Sequence, residues 1–279
     1  MITVASKSCL FERATDCVIT ALEHGIVPWR KSWNCAGPPR NAITGTPYTG
    51  INLWLLLSLP YPSTRYVTAA QVADAGGRVQ PWARQQLLIT GQPDAPMQEA
   101  VYNVKHVSGL PNVVPSEPLL DLHPPVNACA ACIVTMVNKP EIRSEGSTVS
   151  YSVSEDVIYV TKATTFPSFE EYYAALFHQL IHSSGHPSRL NRPSIHEMAE
   201  YGHDACSYEE LVAELGAGYL CSMLQIAQRL PECSGDYIGR WLEKLRSHKE
   251  MLVYASHDAQ RAVEYLLQEN PVAALVQCL

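Results

Sequence analysis

His178 and His182 stand four residues apart in the run Phe177-His178-Gln179-Leu180-Ile181-His182-Ser183-Ser184-Gly185-His186. On a helix this spacing stacks two imidazoles on one face, one turn apart, where they can grip one metal ion. A zinc hydrolase of this design reads H-E-x-x-H: the histidines hold the ion and the glutamate takes a proton from the attacking water. Here the second position is Gln179. Its amide can hydrogen-bond a water but cannot accept its proton. The pattern therefore keeps the ligands and loses the base, a loss worth on the order of 10²–10⁴ in rate.

A third ligand has to come from elsewhere, and the best candidate stretch is Ser207-Tyr208-Glu209-Glu210-Leu211-Val212-Ala213-Glu214-Leu215-Gly216. It reads as a second helix, with Leu211, Val212, Leu215, Tyr219, Met223 and Leu224 facing a core and Glu210 and Glu214 sharing another face. One of these glutamates can ligate the ion while the other orients a ligand histidine from behind. A purely structural reading stands beside this one. Ser207 and Glu210 match a capping box, and two glutamates near a helix start suit the helix dipole. His186, His196 and His203, in the stretch between the two helices, are further ligand candidates that read more simply as loop histidines.

The elements that must position these groups are legible in outline. Ser168 followed by Glu171 predicts the start of the histidine helix, Phe169, Tyr172, Tyr173, Leu176, Phe177, Leu180 and Ile181 recur at helical spacing, and Gly185 supplies its stop. Ahead of it, a short helix near 127–137 and strands near 141–143, 149–153 and 156–160 are expected, and two more helices follow Ser234. In the first half, helices near 11–24 and 68–75 and strands at 86–90 and 100–104 are expected, with a Gly/Pro/Asp loop at 91–96 between the strands. Prolines 111, 115, 118, 124 and 125 block regular structure and mark a linker.

The chain has 279 residues, 47% hydrophobic and 17% charged, which makes it globular rather than disordered. It shows no apolar run of membrane-spanning length and no signal-peptide order at its start, so a cytoplasmic protein is expected. Nine scattered cysteines argue for reduced thiols, and the lone Cys129-Ala130-Ala131-Cys132 is weak as a zinc motif. The net charge of −7 is unevenly spread. Residues 1–125 carry nine Lys and Arg against eight Asp and Glu, net +1, which leaves −8 for the rest. Within 26–84, Arg30, Lys31, Arg40, Arg65, Arg78 and Arg84 are opposed only by Asp74, amid Trp29, Trp33, Tyr48, Trp54, Tyr61, Tyr66 and Trp82. Flat rings for bases and cations for phosphates are what sequence-tolerant binding of a single strand needs, and Trp29-Arg30-Lys31-x-Trp33 offers both. Trp54 reads as core, and Asn41 and Asn52 read either as contacts or as turn and capping residues.

The run Ser154-Glu155-Asp156-Val157-Ile158-Tyr159-Val160, Phe166, Tyr172-Tyr173, the histidine motif, Gly185-His186-Pro187-Ser188-Arg189-Leu190 and Glu209 to Gly216 resembles the zincin-like metallopeptidase domain of the ArdC-type antirestriction proteins. Val27-Pro28-Trp29, Pro39-Arg40-Asn41, Tyr48-Thr49-Gly50-Ile51-Asn52, Thr68-Ala69-Ala70-Gln71, Gly76-Gly77-Arg78-Val79 and Val101-Tyr102-Asn103-Val104 are similar to that family's N-terminal single-stranded-DNA-binding domain. The chain departs from the family pattern at Gln179, where the family has glutamate. It departs again at Gln80-Pro81-Trp82-Ala83-Arg84, where the family has a basic Lys-Gly turn.

The resemblance implies an α+β chain: a small DNA-binding domain over 1–112, a Pro-rich linker at 113–125 and a zincin-like domain over 126–279. It implies a divalent metal, zinc by ligand type, held by His178, His182 and Glu210, with Glu214 orienting a ligand and Gln179 in the place of the base. It also implies single-stranded DNA as partner, contacted by Trp29, Arg30, Lys31, Trp33, Arg40, Asn41, Tyr48, Asn52 and Arg65. The function expected is protection of incoming plasmid or phage DNA from restriction. The alternative is a metal-dependent peptidase acting on a host restriction or defence protein; a nuclease is a weaker reading for want of an acidic metal cluster.

Overall fold

The computed structural model describes residues 6–30, 37–61, 63–92, 94–110, 125–197, 203–226 and 234–268. Three long C-terminal helices form its frame. Helix α5 (Phe169–Ser184) begins where Ser168 accepts the Glu171 backbone N–H at 3.3 Å, carries Glu170 and Glu171 at its positive end and stops at Gly185. Leu176, Phe177, Leu180 and Ile181 form its buried face, each such side chain contributing about 1.5–3 kcal/mol by leaving water.

Helix α7 (His203–Met223) is sandwiched between α5 and α9 (Met251–Leu267). It starts four residues before Ser207, so Ser207 is not an N-cap and Glu210 lies two turns inside the helix. The capping-box reading of Glu210 is thereby removed. Two glycines set how closely α7 is approached. A Cβ at Gly216 would lie 2.7 Å from the Ile181 side chain of α5, and one at Gly218 would lie 2.4 Å from the Trp29 carbonyl oxygen. Either contact would force the elements apart.

A three-stranded sheet, β7 (Glu141–Arg143), β8 (Ser150–Ser152) and β9 (Val157–Tyr159), flanks α5 in the order β7-β9-β8, with β9 parallel to β7 and antiparallel to β8. Arg189 ties the turn after α5 to this sheet. Its guanidinium donates to the Ser183 and Asn138 carbonyls, to the Tyr151 hydroxyl and to the Asp156 carboxylate. Burial alone would push the Asp156 pKa up; the bonds from Arg189 and Tyr151 outweigh it and hold the carboxyl below its usual range.

The first half contains helix α1 (Lys7–Glu23), helix α2 (Ile51–Leu57), helix α3 (Ala69–Asp74) and a four-stranded sheet. Its strands are β1 (Arg40–Asn41), β2 (Arg65–Thr68), β4 (Gln86–Gln92) and β5 (Ala95–Asn103) in the order β1-β2-β5-β4, while β3 (Arg78–Val79) pairs with β6 (Val107–Ser108). The loop expected at 91–96 is instead the end of a hairpin, with Gly91 opposite Pro96 and Gln92 opposite Ala95. Gly91 takes φ +81, and glycine tolerates that conformation at a tight reversal.

One core runs through both halves: Leu10, Phe11, Val18, Trp29 and Trp54 are buried together with Phe177, Leu180, Leu211, Leu215, Leu245 and Leu266. The N-terminal sheet has smaller cores of its own around Leu56, Tyr66, Leu88 and Val101, and around Ala42, Val67 and Val72. The expected linker falls almost wholly outside the described residues, and Pro125 already opens helix α4 (Pro125–Val134). Cys129 and Cys132 sit buried on that helix, and burial pushes the Cys129 thiol up to about 12. That makes Cys129 an inert packing residue. Among the described residues, no helix is long and apolar enough to cross a membrane.

Candidate metal centre

Because α5 and α7 pack closely at Ile181 and Gly216, a turn of α7 is held directly over the histidine turn of α5. His178 Nε2 and His182 Nε2 are 3.1 Å apart, and the two oxygens of Glu210 lie 3.4 Å from His178 Nε2 and 3.4 Å from His182 Nε2. A tetrahedral ion with ligands at ~2.0–2.2 Å separates neighbouring ligand atoms by roughly 3.3–3.5 Å. The three side chains therefore converge at the edge lengths that a small divalent cation requires. Among the described residues, His178, His182 and Glu210 form a cluster of three potential ligands. The His182 side chain is 8% exposed and that of Glu210 44%, so the cluster is anchored in the core and open on one side.

The carboxylate behind His182 belongs to Glu209. Its Oε1 lies 3.2 Å from His182 Nδ1, fixing the ring with Nε2 turned toward Glu210. Glu209 is fully buried and is itself held by Arg192 (Nη2 at 2.5 Å, Nε at 3.1 Å) and by the Ser194 hydroxyl at 2.6 Å. Arg192 also donates to the Ile181 carbonyl and to Ser184 Oγ on α5. Burial by itself would raise the Glu209 pKa, but the bonds from His182 and Arg192 prevail and lower it to about 2. For His182, burial would disfavour the charged ring, yet Glu209 and Glu210 outweigh it and raise the pKa to about 9. Glu210 is held well below the carboxylate range, its burial outweighed by the two imidazoles. In the metal-free chain Glu209 and Glu210 hold a proton on His182, and a cation bound at this preorganised cluster would take that proton's place.

Glu214 was expected in the position that Glu209 occupies. Its carboxylate instead accepts Arg30 Nε at 3.0 Å and Nη2 at 2.7 Å. Arg192 and Ser194 carried no sequence signal at all: they sit in short helix α6 (Pro193–Glu197) and the turn before it, and only packing brings them to Glu209. Gln179 is half-buried on α5, one position after His178. His186 Nδ1 makes a local turn with Ser188, and the side chains of His196 and His203 lie outside the described set.

The residues expected to touch DNA have mostly gone into the scaffold. Trp29 is fully buried, its indole N–H donating to the Tyr237 hydroxyl at 2.8 Å and its ring edge-on to Trp241. Arg30 lies over the Tyr237 ring and pairs with Glu214, stapling the N-terminal half to α7 and to helix α8 (Ser234–Ser247). Arg40 and Arg65 are neighbours across β1 and β2 and are 5% and 4% exposed. Asn41 accepts the N–H groups of Ile43 and Thr44, and Asn52 makes two bonds to the Ile89 backbone that knit α2 to β4. Tyr48 is half-buried and edge-on to Tyr66. Trp29, Arg40 and Arg65 are thus buried, while Arg30, Asn41, Tyr48 and Asn52 keep part of their surface exposed. Lys31 and Trp33 lie outside the described residues.

Comparison with known proteins is consistent along the chain. Residues 9–93 match the N-terminal domain of the anti-restriction factor ArdC, and residues 131–258 match a zincin-like metallopeptidase domain. Crystal structures of the antirestriction protein ArdC from plasmid R388 superpose with TM-scores of 0.74 for the Mn(II)-bound form and 0.70 for the metal-free form. The first is 27% identical and covers 92% of this chain and 97% of that one; the second is 28% identical and covers 95% and 98%. A DNA primase TraC of Escherichia coli is 27% identical over 94% of this chain, which spans only 27% of that relative's length. An uncharacterised protein y4eC of Sinorhizobium fredii is 25% identical over 95% of this chain and 93% of its own. With both domain matches in order and the R388 protein matched over its full length, the chain belongs to the ArdC type: an ArdC N-terminal domain joined to a zincin-like metallopeptidase domain.

Proposed function

We propose that this protein binds single-stranded DNA and shields entering plasmid or phage DNA from restriction, with a zincin-like domain that holds a divalent cation but lacks a peptidase base. The observation that carries the reading is the combination of a complete ligand set, His178, His182 and Glu210, with glutamine at position 179. The antirestriction role of the R388 relative and the DNA chemistry named for the TraC relatives support DNA as the partner. The thiols of Cys9, Cys17 and Cys129 are free, which suits action in a reducing compartment.

Two imidazoles and a carboxylate suit zinc, and Mn(II) in the R388 protein makes manganese the alternative to test. A divalent ion bound there supplies Lewis acidity. The chain's own contribution is the orientation: Glu209 fixes His182, Arg192 fixes Glu209, and Gln179 offers hydrogen bonds without taking protons. Zn²⁺ or Mn²⁺ at 100 times its dissociation constant should stabilise the protein by about 2.7 kcal/mol, at one ion per chain, and His178→Ala should remove that gain. An equal gain in His178→Ala would reject the site.

The DNA-binding half is tested by salt. Binding to an oligothymidylate should weaken linearly in log affinity against log salt, with a slope near −0.7 per phosphate contact. Absence of binding at low salt would remove this half of the reading.

A further inference from the structure

Trp29, Trp54 and Trp241 are 0%, 2% and 8% exposed, whereas Trp82 is 63% exposed and the largest apolar side chain so presented among the described residues. It is not a loose surface ring. Its indole stands edge-on to His106 with centroids 4.7 Å apart, His106 stands edge-on to Tyr61 at 4.9 Å, and Tyr61 to the buried Tyr66 at 6.5 Å. Gln86 pins the Tyr61 hydroxyl at 3.2 Å, and the Gln80 N–H to His106 carbonyl bond at 2.9 Å fixes the turn that presents Trp82. An aromatic column thus runs from the core of the N-terminal sheet to the surface and ends in an open ring face.

The charge on the turns that carry the ring is basic; the nearest acidic residues in sequence are Asp74 on α3 and Asp94 and Glu99 beyond Gln92. Residues 76–92 and 100–110 contain no aspartate or glutamate, and Arg78, Arg84 and Lys105 in these stretches are exposed. Each belongs to β3, the Trp82 turn or the turn that carries His106, the elements that build the column. A preorganised flat ring on turns that carry exposed cations is complementary to an unpaired base and its phosphates. A hydrophobic protein partner would not need the cations, and an ordinary core contact would not leave the ring bare.

We infer that Trp82, seated on His106 and Tyr61 and flanked by Arg78, Arg84 and Lys105, is the base-stacking platform for single-stranded DNA. The inference rests on the DNA-binding reading above and moves its centre from Trp29 and Arg30 to the opposite end of the N-terminal sequence match.

The test uses the full chain and a labelled 20-nucleotide oligothymidylate, followed by fluorescence anisotropy and by quenching of tryptophan emission. Trp82→Ala should weaken binding on the order of 10- to 100-fold with an unchanged melting temperature, since the ring covers no core. Trp82→Phe should retain most of the affinity but lose the quenching. Arg84→Ala should weaken binding and reduce the salt slope by about 0.7. Wild-type affinity in Trp82→Ala, quenching retained in full by Trp82→Phe, or tighter binding to duplex than to single strand would each overturn the assignment. Concentration-dependent self-association abolished by Trp82→Ala would overturn it in favour of a second copy of the chain. Failure of the unmodified protein to bind any single strand would instead sink the DNA-binding reading itself.

Discussion

Replacing Glu209 by alanine is expected to destabilise the metal-free protein by about 3–5 kcal/mol and to weaken its hold on a divalent cation by roughly 10- to 100-fold. The two effects have separate causes. Arg192 and Glu209 form an ion pair whose side chains are 3% and 0% exposed, so removing the carboxylate leaves a guanidinium in the interior with no anion beside it. That cost is a large part of the ~5–15 kcal/mol that holds a domain folded. The metal effect follows from His182, whose Nδ1 loses its partner and whose ring is then free to turn Nε2 away from His178 and Glu210. Denaturant unfolding reads the first and metal titration the second. Adding Arg192→Met to Glu209→Ala should restore much of the stability but none of the metal affinity, because it removes the stranded charge without replacing the orienting bond. A Glu209→Ala protein within 1 kcal/mol of the original would show that water reaches this pair.

The same groups give the sign of the pH dependence. The pKa of Glu209 is lowered to about 2 from an ordinary 4.5, so its contribution to stability is complete above pH 4.5 and lost as the pH falls toward 2. In metal-free protein the pKa of His182 is raised to about 9 from 6.5, so its contribution is complete below pH 6.5 and lost as the pH rises through 9. Metal-free protein is therefore held best between these limits, and a cation, which competes with the His182 proton, gains affinity on the alkaline side.

The parts of this site that were legible in the sequence are those carried by local spacing. A serine cap, an apolar stripe and two histidines four apart define α5 and its metal-facing side without reference to the rest of the chain. Glu210 was legible for a similar reason. What could not be read is the rotation of α7 about its axis: Glu209 and Glu210 lie about 100° apart on a helix, and only the packing at Gly216 decides that Glu210 faces the two Nε2 atoms and Glu209 the back of His182. The i, i+4 pattern favoured Glu214, but that side chain belongs to the staple with Arg30.

The N-terminal half shows the converse. Trp29 next to Arg30 has the composition of a stacking site and also of an aromatic staple, and tertiary burial alone separates the two. Trp82 was visible as a residue, but its platform depends on His106 and Tyr61, which lie 24 and 21 positions away and meet it only through the pairing of β3 with β6 and of β4 with β5.

Gln179→Glu carries the largest expected effect. In protein loaded with Zn²⁺ or Mn²⁺, it should raise the hydrolysis of a denatured substrate such as casein by about 10²–10⁴ over the original chain. Glutamate has nearly the shape of glutamine, and position 179 is half-buried on α5, so the exchange changes charge and proton affinity rather than packing. Its carboxylate can accept the proton of an attacking water, a step the Gln179 amide cannot perform. The added charge sits one position after His178, whose ring meets Glu210, so metal-free Gln179→Glu should be no more stable than the original and should bind a cation at least as tightly. Oligothymidylate affinity should not change, because Gln179 belongs to α5 and the stacking column to the N-terminal sheet. Equal hydrolysis by both chains would mean that another group serves as base and that the peptidase reading is the right one. No hydrolysis by the glutamate chain with one ion bound would mean that the open side of the cluster no longer admits a peptide, and the metal would then serve the architecture of α5 and α7 alone.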